Sequence, residues 1–118
     1  MILETLGWIL LGAAAAGALV YFWDEIRDWL NSVAADAVER AFGYSARNTL
    51  HRAVACVDRL MYKLKNKSVV YSKKSPSSLY FDKTTITCEI GIEDVDEDVL
   101  REFEKNDNRL IQEFKYQH

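Results

Sequence analysis

The sequence predicts an α+β fold with an N-terminal transmembrane helix, and three observations lead there. Residues 5–23 carry no charged side chain. Residues 24–67 repeat apolar side chains at three- and four-residue steps, the period of amphipathic helices. From residue 68 the period drops to two, in short runs divided by Ser, Pro and Asp, and then returns to helical spacing. The expected organisation is a transmembrane helix at 1–23, an amphipathic helical region at 24–67, and a small cytosolic βββα domain at 68–118. That last part is an antiparallel β-meander followed by a C-terminal amphipathic helix.

The N-terminal run comes first. Nineteen uncharged residues make a helix of roughly 28 Å, about the thickness of a bilayer's hydrocarbon core. Trp8 stands near one end, and Tyr21, Phe22 and Trp23 at the other, as interfacial aromatics do. Trp29, six residues further on, is a further candidate for the headgroup layer. Asp24, Glu25, Arg27 and Asp28 close the run. No Lys or Arg precedes it and many follow it, so the positive-inside rule puts the N-terminus outside and the tail in the cytosol of a cell membrane. A cleaved signal peptide fits less well, because the start holds Glu4 and no basic residue, although 14–16 and 16–18 read as small-x-small sites. A buried helix of a soluble complex is the remaining alternative. Gly12 with Ala16, and Ala13 with Gly17, form overlapping small-x-x-x-small pairs, which let helices approach closely in lipid.

In the middle region, Ile26, Trp29, Leu30, Val33, Ala37 and Ala41 continue a helical stripe. Gly43 suits a helix end and Ser45 the next N-cap. Leu50, Ala53, Val57, Leu60 and Leu64 then step by three and four, which predicts a second helix. Its polar side would be a basic face of Arg47, Arg52, Arg59, Lys63, Lys65 and Lys67, with His51 among them.

In the C-terminal part, 68–72 and 79–81 read as short strands, 73–78 as a loop and 82–83 as a tight turn. Residues 84–92 make the clearest strand, with Ile86, Cys88, Ile90 and Ile92 alternating with Thr85, Thr87, Glu89 and Gly91. Asp94 with Glu97 fits a capping box. Leu100, Phe103, Leu110, Ile111 and Phe114 supply the apolar stripe of the final helix, with a break near 105–109.

Charge is segregated along the chain. Residues 44–83 hold nine basic and two acidic side chains, a net of +7, between flanks of −4 and −6. A basic stretch of this kind suits an anionic lipid surface, an acidic element of the same chain, or a nucleotide or nucleic acid. Tyr62, Tyr71 and Tyr80 are too far apart in the sequence to make an aromatic platform, so nucleic acid is the least expected of these. Cys56 and Cys88 form no C-x-x-C, and His51 and His118 complete no metal set. The acidic run 93–98 lacks the glycine and final glutamate of a calcium loop. No nucleophile or phosphate-binding motif is present.

These features predict a non-enzymatic membrane protein acting in an assembly, without cofactor, metal or small-molecule substrate. Its expected partners are membrane lipid and either further copies of itself or another membrane protein. A triggered pore-forming effector is the first alternative. A soluble nucleotide or nucleic-acid binder with a buried N-terminal helix is the second.

Overall fold

In the computed structural model, which describes residues 7–10, 18–43, 49–73 and 77–117, the longest element is helix α1, Ala18–Phe42. No glycine or proline interrupts it. Leu19, Phe22, Trp23, Ile26, Leu30, Ala34 and Val38 line one buried face at helical spacing. Gly43 ends the helix with φ at +97°, a left-handed conformation that suits glycine. Its N–H donates to the Glu39 carbonyl at 2.8 Å.

Among the described residues, five strands surround this face: β1 (Gly7–Leu10), β2 (Leu50–Arg59), β3 (Lys63–Ser72), β4 (Asp82–Gly91) and β5 (Arg109–Gln117). All neighbours are antiparallel, in the order β1-β5-β2-β3-β4, and the sheet curves into a half-barrel. Helix α2 (Glu97–Lys105) joins β4 to β5 after a 3-10 turn at Ile92–Asp94. The core lies between α1, α2 and the concave face. Phe22 meets Phe103 of α2 edge-on at 5.9 Å, Trp23 meets Phe114 of β5 at 6.4 Å, and Trp8 of β1 meets Tyr116 at 5.1 Å. Strand β1 is tied to the helix by the Trp8 N–H, which donates to Asn31 Oδ1 at 2.9 Å. That approach requires Gly7, since a Cβ there would stand 2.5 Å from the same oxygen.

The transmembrane reading is overturned. No helix among the described residues is long and apolar enough to cross a membrane. The single-pass topology and the cell-membrane location with its outside and cytosolic ends therefore lose their basis. The expected span at 5–23 is divided, with Gly7–Leu10 pairing with β5 and the described chain resuming at Ala18 in α1. Trp8, Leu19, Phe22 and Trp23 are apolar because they line the protein's own core. Trp8 is 1% exposed and Trp23 4%, which is burial against side chains rather than lipid headgroups. Trp29 packs against the same core, whereas Tyr21 is 74% exposed. Gly12, Ala13, Ala16 and Gly17 lie outside the described residues, as does Arg47.

Two predicted helices are also corrected. The described part of the second one, beyond residue 48, is β2, the turn after it and the first half of β3. A four-residue step is one helical turn and also two strand repeats, so Ala53 and Val57 satisfy both patterns. The C-terminal helix stops at Lys105, and its second half is strand β5. Asp107 and Asn108 take φ of 55° and 63°, which short polar side chains tolerate, and the chain reverses there. Asp96, not Asp94, caps α2, its side chain accepting from the Asp98 N–H at 2.8 Å. Strand β4 begins at Asp82, so the expected turn at 82–83 is part of the strand and 79–81 is not. Its alternation through Ile86, Cys88 and Ile90 is as expected, but α1 rather than a C-terminal helix covers that side.

Candidate functional site

Alternation along each strand sends every second side chain away from α1. On β3 this sets Lys63, Lys65, Lys67, Val69 and Tyr71 on the convex face, while Leu64, Asn66, Ser68, Val70 and Ser72 are buried beneath it. The same rule adds Arg52, Val54, Cys56 and Asp58 from β2, Lys83, Thr85, Thr87 and Glu89 from β4, and Arg109, Ile111, Glu113 and Lys115 from β5. Register lines these up across the sheet. One row reads Lys115, Arg52, Tyr71, Lys83, and another reads Ile111, Cys56, Lys67, Thr87.

The acidic residues of this face are engaged. Glu113 meets Arg52 at 3.0 Å, and Glu89 meets Lys63 at 2.9 Å. Asp58 accepts two bonds from Arg109, at 2.6 and 3.2 Å, and this hydrogen bonding raises the guanidinium's already high pKa. Lys65, Lys67, Lys83 and Lys115 have no ion pair among the described residues, and neither has Lys73 at the end of β3. Among the described residues, the expected match between the basic stretch and the acidic C-terminal part amounts to a few pairs, such as Arg59 with Glu104 of α2 at 2.9 Å. Convex-face charge consequently stays positive although the whole chain carries −3.

Aromatic rings collect at one end of this face. A register irregularity between Leu50 and Arg52 carries His51 beside Phe81, where the rings stack with centroids 4.9 Å apart and planes at 29°. Tyr71 meets Phe81 edge-on at 6.5 Å. The Arg52 guanidinium lies 4.6 Å from the Tyr71 ring centre and the Lys83 ammonium 5.7 Å. The Lys73 ammonium lies 4.9 Å over Phe81. Its backbone is held to Thr49, whose hydroxyl donates to the Lys73 carbonyl and accepts from the Lys73 N–H. Cation–ring contacts at exposed positions are worth about 0.5–1 kcal/mol each, enough to orient these side chains without burying them. Phe81 remains 40% exposed, and Tyr80 beside it is 83% exposed. Ser78, Leu79, Tyr80 and Asp82 line a groove of about 340 Å³ at this end.

The fold therefore brings together Arg52, Lys63, Lys65 and Lys67 of the expected basic face, by strand alternation instead of helical periodicity. Arg59 is set apart, facing α2. Tyr71 and Tyr80 come to the same end of the sheet, and Tyr62 sits at the opposite end in the turn between β2 and β3. Sequence reasoning did not single out Phe81, Lys73, Lys83 or Lys115. The run Lys63-Leu-Lys-Asn-Lys67 carries the period of two that reveals the face.

The concave side offers different chemistry. Asn66 and Ser68 are fully buried, with the Ser68 hydroxyl donating to Asn66 Oδ1 at 3.1 Å and the Asn66 amide reaching Cys88 Sγ at 3.5 Å. Burial pushes the Cys88 thiol pKa up, and the Asn66 contact opposes this in part. Both cysteines are free thiols. Among the described residues no group of His, Cys, Asp and Glu is placed to hold a metal ion. The chain matches no known protein-family model, no curated protein and no solved structure.

Proposed function

We propose that the chain is a binding module for single-stranded nucleic acid, with the convex sheet face as its platform. The observation that carries this reading is the Tyr71–Phe81–His51 ring cluster, flanked by Arg52, Lys73 and Lys83, at the end of a lysine-rich face. Single strands are held by two things in combination: a positive track for the backbone and flat groups on which bases stack. Rings and guanidinium planes provide the second, and Lys65, Lys67, Lys83 and Lys115 provide the first. The face is convex and open, so a strand can lie across it without entering a cavity. This is a reading of binding alone, with no reaction assigned to the chain.

Titration of fluorescently labelled single-stranded DNA and RNA oligonucleotides with the full chain, followed by anisotropy, tests it. Saturable binding is expected at low salt. It should weaken as salt rises, with a log–log slope of about −0.7 for each phosphate neutralised. Duplex DNA should bind more weakly, because its bases are not free to stack. An equal preference for any polyanion, heparin included, sinks the reading.

A further inference from the structure

The outer strands of a sheet each leave a row of backbone N–H and C=O groups without a strand partner. At one edge β1 is four residues long, but at the other β4 is ten. Among the described residues β4 pairs with β3 alone, from Lys63 opposite Gly91 to Ser72 opposite Asp82, with no bulge. No proline breaks it, and its one lysine, Lys83, stands near its start. The devices that blunt an edge strand are therefore missing from its middle, Thr84-Thr-Ile-Thr-Cys88, which is rich in β-branched residues. Ile86 and Ile90 face the core yet are only partly buried.

We propose that β4 pairs antiparallel with β4 of a second copy, with the two-fold axis at Ile86. Register and charge together select this occupant. In a continuous sheet the axis must fall on a residue, because a one-residue slip sets core-facing side chains opposite wet ones. With the axis at Ile86, Thr85 faces Thr87 of the second copy, Thr84 faces Cys88, and Lys83 faces Glu89. An axis at Thr85 sets Lys83 against Thr87, and one at Thr87 sets it against Gly91. Only the Ile86 axis puts opposite charges across from each other, and symmetry makes the match twice. The half-covered Ile86 side chains then meet at the axis, and the two convex faces join into one.

The test is the molar mass of the full chain, free of nucleic acid, by light scattering and sedimentation. That readout is independent of whether the convex face binds a strand. Wild type is expected at twice 13.6 kDa. K83E and E89K should each raise the dimer dissociation constant about tenfold, since every substitution acts at two symmetric places. The double swap K83E/E89K should restore dimerisation. T85K/T87K, at two exposed positions, should give a folded monomer by circular dichroism. A wild-type chain that stays monomeric at high concentration overturns the proposal and leaves the edge to a foreign strand. A dimer indifferent to K83E and to T85K/T87K overturns it too, because association then lies elsewhere. A double swap that fails to restore the dimer overturns the register.

Discussion

The two faces of this sheet are built from the same strands, often from adjacent residues, and differ in almost every physical respect. On β3, Leu64 and Val70 are buried against the core, whereas Lys65 and Tyr71, one residue further on, face outward. The concave face is closed by α1 and α2, so its side chains contribute through packing. The convex face is uncovered among the described residues, and its side chains are spaced by register into charged and aromatic rows. One face should thus govern stability and the other binding, with little crossover between them.

The largest effect is expected on the concave side. Phe114 is fully buried and meets Trp23 edge-on. Phe114→Ala should cost about 3–5 kcal/mol of unfolding free energy, measured by urea denaturation. Whatever fraction stays folded should bind oligonucleotide as before. A loss of affinity larger than the loss of folded protein would break the separation of the two faces.

A smaller effect of the opposite kind is expected outside. Removing both Tyr71 and Phe81, as Tyr71→Ala with Phe81→Ala, takes away rings worth about 1–3 kcal/mol per stacked base. Affinity for a single strand should fall about 30-fold or more. The urea midpoint should move little, because both rings are partly exposed. If the double variant unfolds instead, the cluster belongs to the scaffold.

The smallest effect sharpens the comparison from inside. Ser72 is fully buried, and its hydroxyl has no hydrogen-bond partner among the described residues. A buried polar group left unpaired is costly, on the order of 1 kcal/mol or more. Ser72→Ala should therefore leave stability unchanged or raise it by up to about 1 kcal/mol, again by urea denaturation. A clear destabilisation would show that the hydroxyl is engaged.

How far this contrast can be read from sequence depends on the period of each segment. Strand β4 was legible because Ile86, Cys88 and Ile90 alternate cleanly with Thr85, Thr87 and Glu89. Strand β2 was hidden because Leu50, Ala53 and Val57 also suit a helix, and Val54 and Cys56 on its outer side are apolar enough to widen the stripe. In β5, Leu110 and Phe114 are likewise four apart, and only Tyr116, two further on, tips the pattern toward a strand. The uncharged N-terminus misled for another reason. Trp8, Phe22 and Trp23 look alike in a bilayer and in a protein core, and what separates the two is which strand pairs with 7–10. The basic residues were visible in the sequence, but their grouping was not. Phe81 and His51 become neighbours only once β2, β3 and β4 align, so spacing along the chain carries no trace of that contact.

The most direct test of the account is a map of backbone amide shifts by NMR as a single-stranded oligonucleotide is added. The largest changes should fall on outward residues of β2, β3 and β4, with Arg52, Tyr71, Lys83 and the neighbouring Phe81 foremost, while the inner turns of α1 around Leu30 and Ala34 stay still. Changes centred on α1 or α2, or no saturable change at low salt, would contradict the assignment of binding to the convex face.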